Sequence, residues 1–264
     1  MIDNGRDKHN LGSVSKVKGY GEMKKWQKIS ISIGVALLVI LLAGFFYIKN
    51  STYQPTETAV QAATAAEKER DVLFFEGEKG KPTILFYQGA LVENTSYSIW
   101  AEQVAAAGFS VYLLKQPLNM AILGQNNAEK IIDDKKIHSY IIGGHSLGGV
   151  IGSRFAHEHL ADTGLKGVFF LASYPDKKGD LSSFDGGVLS ITADSDDVLN
   201  EEKYTDAKEY LPANTVFEEI TGGNHAGFGS YGKQKGDGQA EITNAEQQQL
   251  VGNMIIRWAS QLAD

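Results

Sequence analysis

Gly144-His145-Ser146-Leu147-Gly148 fits the pattern G-x-S-x-G, and its setting decides how the chain is read. An apolar run, Ser139-Tyr140-Ile141-Ile142-Gly143, precedes it, and a helix-like run from Leu147 to about Leu160 follows. A serine on such a strand-to-helix turn, a nucleophile elbow, stands clear of its neighbours. The helix starting there aims backbone N–H groups and the positive end of its dipole at the space above the hydroxyl. Gly144 and Gly148 have a steric reason to be small, because strand and helix meet too closely for side chains. The chain holds 29 glycines among 264 residues, so the pentapeptide alone is weak; its context gives it weight.

Outward from this turn, short apolar runs alternate with helical patterns. Strands are expected at Val72–Phe75, Thr83–Tyr87, Ser110–Leu114, Tyr140–Gly143, Gly167–Ala172, Val188–Thr192 and Val216–Ile220. Helices are expected near Ser98–Ala107, Ala128–Lys135, Leu147–Leu160, Glu201–Tyr210 and Asn244–Leu262. The last opens with the capping-box pattern Thr243-Asn244-Ala245-Glu246. Its Leu250, Val251, Met254, Ile255, Trp258 and Leu262 recur at helical spacing, as a core-facing stripe does. Alternation of this kind gives an α/β fold: a mostly parallel central sheet flanked by helices. The strands are nearly continuous apolar runs, as when both faces of a sheet are buried. Ligands of such sheets bind beyond the carboxyl ends of the strands, where Ser146 falls.

A serine hydroxyl needs a base, and the base needs a group to orient it. Histidine suits the role, and the chain has six. His9 lies before the apolar N-terminal run described below. His138 precedes the strand, at its far end. His145 points away from the Ser146 side chain, and His157 and His159 lie two to three turns along the helix. His225 remains, in the glycine-rich stretch Thr221-Gly222-Gly223-Asn224-His225-Ala226-Gly227 just after a strand. The acid should follow another strand end. Ala193-Asp194-Ser195-Asp196-Asp197-Val198 follows Val188–Thr192, and spacing does not choose among its three aspartates. The run lacks the glycine that a calcium loop requires at its sixth position. One aspartate is also placed to cap the helix starting near Leu199. For the oxyanion, one donor is the backbone N–H of Leu147. The second should come from Tyr87-Gln88-Gly89-Ala90-Leu91-Val92, where Ala90 is the first choice and Leu91 the next.

Four segments resemble those of small bacterial α/β-hydrolases with a dienelactone-hydrolase-like core: FYQGALVENTSYSIWAEQVAAAGFSVYLLKQPLNMAIL, GGHSLGG, ITADSDDVL and GGNHAGFGSYG. The order Ser146, aspartate, His225 is that superfamily's order. The resemblance runs from about Asp71 onward. It implies Ser146 as nucleophile, His225 as base, Asp196 as acid and no cofactor or metal. Ala193 stands where the pattern around the acid often has glycine. Gln88 replaces the His or Pro common before the oxyanion glycine. A lid usually enters after the strand that follows the elbow helix. Here that stretch, Ser173 to Gly187, has no room for a cap domain, so a minimal fold with an open site is expected. The expected activity is hydrolysis of a carboxylic ester, short-chain or bulky and solvent-exposed. An acyltransferase or peptidase acting on cell-envelope material and a non-catalytic surface module are the alternatives.

The N-terminus reads differently. Ile29 to Ile48 (ISISIGVALLVILLAGFFYI) carries no charge over about 20 residues, enough for a helix to cross a bilayer. Arg6, Lys8, Lys16, Lys18, Lys24, Lys25 and Lys28 precede it, whereas only Lys49 follows closely. This bias puts residues 1–28 in the cytoplasm and the rest outside, with 29–48 as an uncleaved anchor in the lipid bilayer. Small residues at Ala62–Ala66 lie far from the run for a signal-peptide cleavage site. Residues 49–68, rich in Ser, Thr, Gln and Ala, read as a linker, with the folded domain at 69–264. A formal net charge of -7 gives no case for nucleic acid. The absence of cysteine excludes disulfides, thiolate catalysis and Cys-based zinc sites.

Overall fold

The computed structural model describes residues 24–262. The expected cytoplasmic segment, with Arg6, Lys8, His9, Lys16 and Lys18, lies outside the described residues apart from 24–28. The chain divides into two units, residues 1–46 and 47–264. Helix α1 (Lys25–Ser51) has no buried residue, and its most apolar window has a mean hydropathy of 2.7. It has the length and composition to cross a membrane, features that a signal sequence shares.

The second unit is built on eight strands: β1 (Glu67–Lys68), β2 (Val72–Phe75), β3 (Thr83–Tyr87), β4 (Val111–Leu114), β5 (Tyr140–His145), β6 (Leu165–Leu171), β7 (Gly187–Ala193) and β8 (Val216–Ile220). Their spatial order is β1-β2-β4-β3-β5-β6-β7-β8. The β1–β2 and β2–β4 pairs are antiparallel and the remaining pairs parallel. All seven expected strands are present; the two-residue β1 is too short and too charged to carry a pattern. The helices are α2 (Glu57–Ala62), α3 (Ser98–Ala106), α4 (Asn127–Lys135), α5 (Leu147–Glu158), α6 (Glu201–Asp206) and α7 (Asn244–Ser260).

Alternate strand residues feed two cores, one on each face of the sheet. Ile84, Phe86, Ile141, Phe169 and Leu189 meet Trp100, Val104, Val251, Ile255 and Trp258 of α3 and α7. Leu85, Tyr87, Ile142, Val168 and Phe170 meet Ala128, Ile151 and Phe155 of α4 and α5. Burial on both faces is why these strands read as unbroken apolar runs. The capping box of Thr243 and Glu246 opens α7. Val251, Ile255 and Trp258 form its buried stripe, whereas Leu250 is exposed.

Residues 49–68 are not the linker their composition suggests. Tyr53 pairs with Val92, its N–H donating to Leu91 O at 2.7 Å and its carbonyl accepting Glu93 N–H at 3.1 Å. Thr56 caps α2, and its N–H donates to Ser230 O at 2.8 Å. Ala59 and Ala63 are fully buried, and α2 lies against α3. Alanine lets two helices approach closely, so a segment without large apolar side chains still contributes to the core. The folded unit therefore begins before residue 69.

Candidate active site

Ser146 sits between β5 and α5 with φ 51° and ψ -125°. A non-glycine residue held there costs about 1–3 kcal/mol and needs its surroundings to hold it. A Cβ on Gly144 would lie 2.4 Å from the backbone of Gly148, and one on Gly148 would lie 2.2 Å from Tyr87 O. Both glycines are required by this close approach, as their spacing suggests. Ser146 N–H donates to Leu171 O at 3.0 Å. Ser173 Oγ donates to Ser146 O at 2.6 Å. Ser173 had no signal in the sequence, because only the β5–β6 neighbourhood brings it beneath the turn.

His225 follows β8 and Asp196 follows β7, as expected. The structure pairs them: His225 Nδ1 lies 2.8 Å from Asp196 Oδ2, and both side chains are almost fully buried. The other oxygen of Asp196 accepts the N–H groups of Val198 and Leu199, each at 2.8 Å. Asp194 is turned elsewhere, accepting Gly222 N–H at 2.7 Å, and Asp197 is exposed. Of the three aspartates that spacing left open, Asp196 is the one that meets His225. A carboxylate acceptor holds the proton of His225 on Nδ1 and leaves Nε2 as a lone pair. Ser146, Leu147 and His225 line one cavity of about 240 Å³, with Val150, Tyr174 and Leu199.

The loop after β3 narrows the choice of an anion donor. Gly89 N–H donates to Tyr97 Oη at 2.9 Å. Leu91 N–H donates to Asn119 O at 2.8 Å, and Val92 N–H to Gly89 O at 3.3 Å. Leu91, the second choice from the sequence, is therefore occupied. Ala90 N–H has no acceptor among the described residues, nor has Leu147 N–H at the first position of α5. The Gln88 side chain is fully buried and serves the loop itself. Its Nε2 donates to Val92 O at 2.7 Å and to Asn119 Oδ1 at 2.8 Å.

His145 is more than an elbow residue turned aside. It is buried, and its Nδ1 lies 2.9 Å from Tyr97 Oη. Tyr97 Oη, which accepts Gly89 N–H, is also the hydrogen-bond partner of this ring nitrogen. His145 Nε2 is buried without a partner among the described residues. The His145 ring lies against His225, with centroids 4.6 Å apart. Burial first, and the neighbouring His225 second, push its pKa well below the usual histidine range, so it is neutral. Sequence reasoning missed Tyr97 altogether, since an aromatic after a loop reads as core. The remaining histidines stand apart from this cluster: His138 and His157 are exposed, and His159 stacks on Phe155.

Residues 172–186, between β6 and β7, hold one 3-10 turn (Lys177–Gly179) and no cap domain. The Arg154 guanidinium grips Asp176 there, with Nε 3.2 Å from both carboxylate oxygens. A family model for the alpha/beta hydrolase family matches residues 83–249. The chain belongs to the alpha/beta hydrolase family. Members of this fold to which it is similar include three solved structures. The esterase domain of a Rhodothermus marinus protein is 12% identical, with a TM-score of 0.55, covering 73% of this chain and 93% of that one. A Paleococcus ferrophilus monoacylglycerol lipase is 14% identical, with a TM-score of 0.56, covering 73% and 99%. A dienelactone hydrolase from Anabaena variabilis is 16% identical, with a TM-score of 0.53, covering 72% and 90%. At these identities the likeness is one of fold. No curated protein sequence matches the chain.

Proposed function

We propose that this protein is a serine hydrolase of the carboxylesterase type. The observation that carries this reading is the buried His225–Asp196 pair, 2.8 Å apart, on the wall of the cavity that Ser146 also lines. Ser146 Oγ attacks the carbonyl carbon while His225 Nε2 takes its proton. Asp196 holds the imidazole by Nδ1 and stabilises its cation. The N–H groups of Ala90 and Leu147 receive the oxyanion. His225 then protonates the departing alcohol, and water, activated by the same ring, releases the acid from the acyl-enzyme. Each step is met by residues of this chain, without a cofactor or metal.

A cavity of about 240 Å³ is below the ~300–1,000 Å³ of drug-sized ligand sites. With no cap over it, it suits an ester with one small half. The span at residues 29–48 anchors the chain in a lipid bilayer, with the basic N-terminus in the cytoplasm and the hydrolase unit outside. A fluorophosphonate probe tests the reading. Labelling of the wild type that vanishes in Ser146→Ala is expected; a folded wild-type protein that takes no label refutes it.

A further inference from the structure

Three segments lie side by side at the carboxyl edge of the sheet. Tyr53 N–H donates to Leu91 O at 2.7 Å, and Leu91 N–H donates to Asn119 O at 2.8 Å. Tyr53 follows the apolar span, Leu91 belongs to the loop of Ala90, and Asn119 belongs to the loop after β4. Asn119 is clamped further, by Gln88 Nε2 at 2.8 Å and by its own Nδ2 donating to Glu93 Oε1 at 3.1 Å. On this fixed loop Leu118, Ile122 and Leu123 are 45%, 54% and 56% exposed, whereas Ala121 between them is fully buried. Leu118 and Asn119 both adopt left-handed backbone, at φ 53° and 54°, which costs energy in two consecutive non-glycine residues. Single exposed apolar side chains need no explanation, but three within six residues on a braced loop form a patch.

Chain continuity names what covers it. Four residues, Lys49 to Thr52, lie between Ile48, the last of the uncharged run, and Tyr53, at most about 18 Å even fully extended. A bilayer holding residues 29–48 therefore lies within reach of this edge. Strand order sets the substrate's two halves apart. The loop after β4 is on one side of β5, and the segments after β6 and β7 that line the cavity with Ser146 are on the other.

We propose that the 117–124 loop docks into the surface of the bilayer that anchors the chain, and that the substrate is a membrane-resident ester. Its small acyl half enters the cavity by Leu199, and its lipid-borne half stays in the bilayer. The proposal rests on the esterase reading above. The chain's net charge of -7 gives no attraction to anionic lipid, so docking is apolar and insensitive to salt.

The full chain in phosphatidylcholine vesicles is the test system, with hexadecyl acetate in the bilayer and 4-nitrophenyl acetate in the water. The double substitution Ile122→Ser and Leu123→Ser is expected to lower acetate release from hexadecyl acetate at least tenfold. Turnover of 4-nitrophenyl acetate stays within twofold, and 0.5 M salt changes neither rate by more than twofold. Wild type that hydrolyses only the soluble ester, or a double variant that loses both activities equally or neither, overturns the proposal. Wild type that hydrolyses neither ester defeats the esterase reading itself. A second measurement does not depend on the serine variants. The chain has no cysteine, so Ile122→Cys takes a single environment-sensitive fluorophore. Doxyl-labelled phosphatidylcholine should quench it there, and not at Val216→Cys at the amino end of β8. Equal or absent quenching at both positions overturns the docking. So does a detergent-stable dimer that the serines dissolve, which would assign the patch to a second copy.

Discussion

Replacing Tyr97 by phenylalanine deletes one oxygen atom and leaves two buried polar groups unpaired. Gly89 N–H and His145 Nδ1 both rely on that oxygen, each at 2.9 Å, and Tyr97 is fully buried. A buried group without a partner costs about 1–3 kcal/mol. Two give about 2–6 kcal/mol, partly offset because the hydroxyl's own desolvation disappears, so a loss of about 3 kcal/mol is expected. In a domain of this size each kcal/mol moves Tm by about 2–4 °C, which gives a fall of about 6–12 °C. The same oxygen holds the peptide next to Ala90. Losing an oxyanion donor outright costs about 3 kcal/mol of transition-state stabilisation. Loosening one should cost about half, roughly a tenfold fall in kcat. KM should hardly change, because the interaction forms only in the transition state. Thermal melts and steady-state kinetics on 4-nitrophenyl acetate measure both. In a His145→Phe background one of the two unpaired groups no longer exists, so the cost of Tyr97→Phe should shrink by about 1–2 kcal/mol, a coupling typical of touching residues. A Tyr97→Phe protein that melts within 1 °C of wild type and keeps its kcat would refute the bridging role of the hydroxyl.

Three shorter predictions follow from the same geometry. Asp196→Asn should lower kcat by about 10⁴-fold, the scale seen when a triad aspartate loses its charge; Asp194→Asn and Asp197→Asn should each stay within tenfold, and a loss confined to either of these would reassign the acid. Folding depresses the pKa of His145, so below about pH 6.5 the unfolded chain binds a proton that the folded chain refuses. Stability should then rise with pH through this range by up to about 1.4 kcal/mol per unit, and urea unfolding of His145→Gln at pH 5 and pH 7 should show a shallower slope. A soluble chain beginning at Thr52 should keep ester hydrolysis, whereas one beginning at Glu69 should lose at least tenfold in turnover and melt earlier, since it lacks the pairing of Tyr53 and Thr56 with the loops of Ala90 and Ser230.

The residues that could be read from the sequence are those whose chemistry or periodicity is local. Ser146 announces itself because the elbow needs Gly144 and Gly148 within four positions of each other. The strands announce themselves because both their faces are buried. His225 came from elimination, and the choice of Asp196 over Asp194 and Asp197 came only from resemblance. What was not legible depends on contacts between distant segments. Asp196 is distinguished by where its carboxylate points: toward His225, 29 residues away, while Asp194 turns to Gly222. Nothing local separates Leu91 from Ala90; the Leu91 N–H is taken by Asn119 O, in a loop after another strand.

The segment 49–68 shows the same limit most sharply, and it also bears on how the site is held. Composition measures how much apolar surface a stretch can bury by itself, and Ser, Thr, Gln and Ala bury little. It does not register backbone pairing, which any residue type supplies. Tyr53 spends its backbone on the loop of Ala90, while its hydroxyl accepts Lys235 N–H at 3.2 Å. Thr56 spends its backbone on Ser230, five residues beyond His225, and its hydroxyl meets Ser230 Oγ at 2.7 Å. One short segment thus ties the loop of Ala90 to the loop that follows His225. Cleavage near Ala62–Ala66, the nearest small-residue cluster after the apolar run, would cut this tie and remove the buried Ala59 from the core. The tie therefore depends on residues 53–59 remaining attached to the folded unit, whatever becomes of the apolar helix before them.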